Sequence, residues 1–296
     1  MYRSLIPQIL IFLAVVVSAL LLGALLAYPA SLLLPDIRFS SLAERLSLVC
    51  GLLASLAYVR FTLPFTASAL GFGLPASTQP LRTIIRILGI GLLQGSVILL
   101  VLSITLGLLG IQVIDVSRGF TPGSVLLVLI KGLFTGLFVS LIEELLFRGA
   151  LFSALQARTS AIWATLLSSL LFAAVHFISY PEPAGDTGWL TGVQLFPEAL
   201  VRLTDIAILD YFLTLFFLGV LLCLLRRRDG HILSAIAVHA GIIMMIKLDK
   251  YIMVPAADSP FDFMVNSASP RLGWLSAFWL LLLVAVFWWL HIKKRP

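Results

Sequence analysis

Val139-Ser-Leu-Ile-Glu143-Glu144-Leu-Leu-Phe-Arg148-Gly149 sets two adjacent carboxylates and a guanidinium inside an apolar run from about Val125 to Leu155. The run is long enough to span a hydrocarbon core of roughly 30 Å as a helix. A charged side chain at bilayer depth costs several kcal/mol, and intramembrane ionisable residues mark function by default. This segment therefore decides both the fold class and where chemistry is to be sought.

The rest of the chain agrees with a membrane setting. Of 296 residues, 60% are hydrophobic and 11% charged, and the mean hydropathy is +1.10. Soluble domains carry about a quarter charged residues, so this composition excludes an ordinary soluble fold. The net charge of +6 does not indicate nucleic acid. Its basic residues gather at the ends of apolar runs, as Arg226-Arg227-Arg228 and Lys293-Lys294-Arg295, which is the pattern of topology signals facing acidic headgroups. Cys50 and Cys223 both lie in apolar runs and read as small buried hydrophobes, not as a disulfide. The first apolar run, about Ile6 to Leu34, is too long for a signal peptide and reads as a transmembrane helix.

The expected architecture is all-α, a polytopic membrane bundle of about eight transmembrane helices forming a single integral-membrane domain over residues 1–296. The spans fall near Ile9–Leu34, Leu46–Leu63, Ile84–Gly110, Val125–Leu155, Ile162–Ser179, Ile206–Leu225, Ile232–Met253 and Leu272–Ile292. Breakers separate them: Pro35-Asp36, Pro75 to Pro80, Thr121-Pro122-Gly123, Pro181 to Gly188, and Pro255 to Pro270. The polar stretch from about Pro181 to Asp205 has room for a short interfacial helix. Eight spans put both termini on one side. Arg3, Arg60, Arg82, Arg86, Arg148, Arg158, Arg226 to Arg228 and Lys293 to Arg295 fall there, against Arg38, Arg45, Arg118, Arg202, Lys247, Lys250 and Arg271 opposite. The positive-inside rule makes that side cytoplasmic.

Three membrane segments bear titratable groups. The fourth span has Glu143-Glu144-x-x-x-Arg148, the fifth Phe172-Ala-Ala-Val-His176, and the seventh His239. Glu144 and Arg148 are four apart, share a helix face and can pair, which offsets the cost of burying both. Glu143 points away from Arg148 and is left without a local partner, as suits a general base. The turn between spans four and five falls near Arg158-Thr159-Ser160, so Glu143 and His176 each lie about 24 Å along their helices from it and come level. His239 lies roughly 14 Å beyond the turn at Asp229-Gly230 and joins them if the four–five hairpin projects further. One carboxylate and two imidazoles at a shared point can activate water directly, or can ligate a divalent metal such as zinc that does so. Hydrolysis of a peptide bond is the reaction this chemistry suits.

The order EExxxR, FxxxH and a later membrane histidine resembles the CPBP family, the CAAX-processing and bacteriocin-processing intramembrane proteases also called the ABI family. The resemblance implies an eight-span helical fold; it covers roughly Gly123 to Met245, the protease-like core at about 123–245, and the flanking spans agree in number and character. It implies that Glu143 activates water, that Glu144 and Arg148 shape the site, and that His176 and His239 orient water or stabilise the oxyanion. The substrate would be a membrane-anchored or lipidated protein, or a hydrophobic peptide, entering from the bilayer, here a bacterial cytoplasmic membrane. No cofactor is required on this reading, although the family is often labelled metalloprotease and a metal remains the alternative. The chain departs from the family at Ile243, where HxxxN or HxxxD is usual and an amide donor would stand. Lys247, one turn further, is the candidate replacement.

Plainer readings stand beside these. Glu144 and Arg148 suit a structural ion pair, Glu143 protonated helix glue, and His176 alone a satisfied core histidine. His231 and His291 read as headgroup-level residues, and Trp279, Trp288 and Trp289 as aromatic belts. A scaffold or bacteriocin-immunity-type protein that keeps the site but only binds a partner is the second function. A proton-coupled transporter is the third, but neither inverted repeats nor broken helices are evident.

Overall fold

Each of the eight expected apolar segments forms a helix in the computed structural model, which describes residues 5–62, 66, 70–73, 80–267 and 269–292. The basic groups at Arg3 and Lys293-Lys294-Arg295, and the loop at 74–79, lie outside the described residues. In chain order the helices are α1 (Leu5–Leu33), α2 (Phe39–Thr62), α3 (Pro80–Leu108), α4 (Pro122–Gln156), α5 (Ala161–Val175), α6 (Thr191–Val201), α7 (Leu209–Asp229), α8 (Leu233–Ile252) and α9 (Trp274–Phe287). The short α6 lies where the polar stretch left room for one.

Among the described residues, five helices are long and apolar enough to cross a membrane: Leu13–Leu33, Pro80–Leu108, Pro122–Gln156, Ile206–Asp229 and Trp274–His291. This is a helical membrane bundle, but the expected count of eight crossings is not reproduced. The shortfall has physical causes. α5 has only 15 residues. α2 carries Glu44, Arg45 and Arg60, and α8 carries Lys247, Asp249 and Lys250, which dilute their hydropathy. α8 tolerates this because much of its surface meets protein: Ala235 to Ala240 are buried between α3 and α4.

Small residues bring those helices together. Gly91 and Gly95 of α3 abut Ala237 and Val238 of α8, and Gly136 of α4 abuts Ala240. A Cβ on Gly95 would stand 1.9 Å from the Val238 carbonyl oxygen, which is backbone and cannot give way. Gly95→Ala is therefore expected to lower stability in detergent by about 1–3 kcal/mol through overpacking. Gly89→Ala is the control, since a Cβ there meets nothing within 4 Å. Its midpoint should hold or rise, because alanine favours helix.

Two cores result. The larger joins the end of α4 to α5, α7, α8 and α9, with Phe152, Phe172, Leu222 and Val238 almost fully buried. A second, of Ala24, Ala27, Phe39, Leu42, Ala43, Tyr180 and Ala199, binds α1, α2, α6 and the chain after α5. Its packing explains why α2 begins at Phe39 and not near Leu46: Leu42 and Ala43 are buried there, and Glu182 accepts hydrogen bonds from the Ser40 hydroxyl at 2.6 Å and its backbone N–H at 3.4 Å.

The all-α reading needs one addition. β1 (Gln112–Ile114) pairs antiparallel with β2 (Met253–Pro255), tying the ends of α3 and α8. Close by, Arg271 pairs with Asp249 and donates to the Met253 carbonyl at 3.0 Å.

Candidate active site

α4 changes form where its charges begin. It is α-helical over Pro122–Glu144, π-helical over Leu145–Leu151, and α-helical again over Phe152–Gln156. The wider turn is closed by the Phe152 N–H donating to the Phe147 carbonyl, which also accepts from the Ser168 hydroxyl of α5 at 3.1 Å. A side chain entering the ladder is a recognised cause of such a distortion, and π segments are frequent at functional sites. Gly149 lets the chain after α2 approach, since a Cβ there would lie 2.9 Å from the Leu70 carbonyl oxygen.

The expected ion pair forms. Arg148 donates to Glu144 Oε1 at 3.0 Å and to the Gly219 carbonyl of α7 at 3.0 Å, and both charged side chains are wholly buried. Its guanidinium carbon lies 4.4 Å from the centre of the Phe172 ring. The same ring meets His176 edge-on at 4.7 Å and His239 at 6.0 Å. Phe172 is thus a plate on which three site residues rest, a role that the FxxxH spacing alone did not reveal.

Both imidazoles have one nitrogen committed. His176 is the residue on which α5 ends, three residues earlier than the expected span, and its Nδ1 lies 2.7 Å from the Phe172 carbonyl. A carbonyl only accepts, so Nδ1 carries the hydrogen. His239 Nδ1 lies 2.9 Å from Glu144 Oε1, the oxygen that also accepts from Arg148, so it too is the donor. In the neutral rings each Nε2 is then free. Both face Glu143 Oε2, at 3.8 Å from His176 and 3.9 Å from His239. That oxygen is buried and has no hydrogen-bond partner among the described residues. The five residues singled out in the sequence therefore converge, with Glu144 and Arg148 holding His239 and Glu143 facing both rings.

Glu143 and His176 line a cavity of about 220 Å³. His239 is not part of its wall and stands behind Glu143. Most of the lining is apolar and comes from α1, α2, α4 and α5. Its other polar groups, Glu44, Ser47 and Tyr180, were not anticipated, because Glu44 lies just before the apolar run that marked the second span. The Ser179 hydroxyl donates to Glu44 at 3.0 Å, which ties the chain after His176 to α2. Burial holds the Tyr180 phenol above its usual range; a hydrogen bond with Ser47 opposes this, and the negative charge of Glu44 adds to it.

Other expectations fare differently. His231 is buried beside Asp229; burial depresses its pKa, with Asp229 opposing. Ile243 is partly buried and has no polar group to offer. Lys247 is exposed, eight residues beyond His239 and so about 12 Å further along α8, which removes it as a substitute donor. Cys50 and Cys223 are free and buried. Among the described residues, no three His, Cys, Asp or Glu side chains are gathered closely enough to hold a metal ion as they stand.

No curated protein matches the chain. Residues 125–245 match the model of the family described as type II CAAX prenyl endopeptidase Rce1-like. The matched segment contains the Glu143–Glu144–Arg148 group, Phe172, His176 and His239, all the groups whose contacts build the site. Residues 125–245 are thus similar to the CAAX-protease family.

Proposed function

We propose that this protein is an intramembrane endopeptidase that hydrolyses peptide bonds of membrane-anchored or lipidated proteins. One observation carries the reading: a buried, unpartnered carboxylate oxygen of Glu143 faces the Nε2 atoms of His176 and His239 at 3.8 and 3.9 Å, at the wall of an apolar cavity. These gaps are too long for direct hydrogen bonds and suit a shared water.

In the proposed reaction Glu143 takes a proton from water as its oxygen attacks the scissile carbonyl carbon. The C=O pair moves onto oxygen, giving a tetrahedral oxyanion. As the C–N bond breaks, Glu143 returns the proton to the leaving amine. In the ground state the water donates one O–H to Glu143 and the other to one of the two Nε2 atoms; a ring protonated at Nε2 is a donor to the oxyanion. Glu144 and Arg148 act through His239, fixing its tautomer and ring orientation. The reading needs no metal. With all eight apolar helices taken as crossings, the distribution of basic residues puts both termini in the cytoplasm.

The test is cleavage of membrane-anchored reporter peptides by purified protein in vesicles. His176→Ala should reduce the rate by about 100-fold or more, as loss of a positioned polar group in an acyl-transfer site does. Chelator should leave wild-type cleavage unchanged; its abolition, with recovery on adding zinc, would move the chemistry to a metal. Ile243 favours one second reading, a partner-binding member that has lost turnover. Reporter binding without cleavage by wild type would establish that reading instead.

A further inference from the structure

The cavity has a second acidic lining residue. Glu44 lines it together with Glu143, and no lysine or arginine is among its described lining residues. Its other polar lining groups are the hydroxyls of Ser47 and Tyr180 and the imidazole of His176, and the remainder of the wall is apolar. Glu44 is exposed, and only its Oε1 is taken, by the Ser179 hydroxyl at 3.0 Å. A chain lying in this cavity meets a carboxylate at the reaction centre and another on the α2 wall, the latter partly open to solvent, where one unit charge pair is worth about 1 kcal/mol or more. A free C-terminal carboxylate, or an Asp or Glu side chain, is repelled there. A basic side chain lays its methylene stem on the apolar wall and sets its charge against Glu44. Membrane-anchored proteins carry such residues where their apolar segment meets the headgroups.

We propose, resting on the protease reading above, that Glu44 is a specificity-determining residue. It selects an internal bond in a substrate segment bearing a lysine or arginine near the scissile position, and it turns away segments bearing a carboxylate there.

The test uses lipid-anchored Ala/Leu reporter peptides, identical except for one residue scanned near the cleaved bond as Lys, Gln or Glu. Wild type in neutral vesicles should cleave the best Lys reporter about tenfold faster than its Glu counterpart, the effect of one unit charge pair in a partly wet site. Glu44→Gln should bring the Lys-to-Glu ratio near one, and Glu44→Lys should invert it. Glu198→Gln makes the same charge change on exposed α6, away from the cavity lining, and should keep the wild-type ratio. The ratio is internal to each variant, so partial loss of folded protein does not mimic the effect. A Glu44→Lys protein that keeps the wild-type ratio overturns the proposal. Binding of the same peptides to Glu143→Gln, read by fluorescence anisotropy, is the second arm. If wild type cleaves nothing, the protease reading fails while this arm still decides the Glu44 preference: Lys over Glu, lost in the Glu44→Lys/Glu143→Gln double variant, upholds it. Equal binding of both peptides sinks it.

Discussion

Glu143→Gln should reduce reporter cleavage by about 100- to 10,000-fold while leaving the protein folded, the loss expected when a general base is removed. The glutamine has the same shape but cannot take a proton from water. Stability should not suffer, because the buried Oε2 has no hydrogen-bond partner among the described residues. Replacing an ionised buried group by a neutral one removes a desolvation cost, so the thermal midpoint in detergent should stay level or rise. This separates Glu143 from its neighbour, whose oxygen is engaged by both Arg148 and His239. Cleavage and thermal unfolding measured on one preparation decide the matter. Equal turnover by wild type and Glu143→Gln removes this residue as the base.

Arg148→Met should be the most damaging substitution for folding, at about 3–5 kcal/mol, the cost of breaking a buried pair from one side. The guanidinium is wholly buried and makes three contacts of different kinds, with Glu144, the Gly219 carbonyl and the Phe172 ring. Its removal strands the Glu144 carboxylate in the core with only His239 Nδ1 as partner. It also unties α4 from α7. The double variant Glu144→Gln/Arg148→Met should be less destabilised than Arg148→Met alone, because no uncompensated charge is left. Thermal unfolding of the single and double variants is the measurement. An Arg148→Met protein as stable as wild type would show that the pair holds nothing together. Any activity surviving in the double variant should be low, since the ring of His239 then lacks an ionised acceptor to fix Nδ1 as its donor.

The Glu144–Arg148 pair was legible because spacing of four puts two side chains on one helix face. The meeting of Glu143 with His176 was legible because a short turn makes residues equidistant from it come level. The first inference needed one helix and the second only its immediate neighbour. The π segment at Leu145–Leu151 was not legible: no spacing in the run marks it, and the Phe147 carbonyl within it is met by Ser168 of the next helix, a tertiary contact. The part played by Phe172 was missed for the same reason. Its ring contacts residues from α4, α5 and α8 together. Glu44 escaped notice because a charge at the edge of an apolar run looks like a span boundary.

Hydrophobic content and the placing of charges within it were enough to determine a helical membrane bundle, its helix segments and the residues that would have to be rescued from lipid. These are local properties, set by the transfer cost of side chains and by the period of one helix. Only tertiary packing decided which nitrogen of each histidine faces Glu143, and that α1 and α2 wall the cavity. It also decided that α8, charged as it is, runs through the middle of the bundle. Those outcomes rest on backbone carbonyls, aromatic faces and close helix approaches contributed by distant parts of the chain, and no spacing within a single segment encodes them.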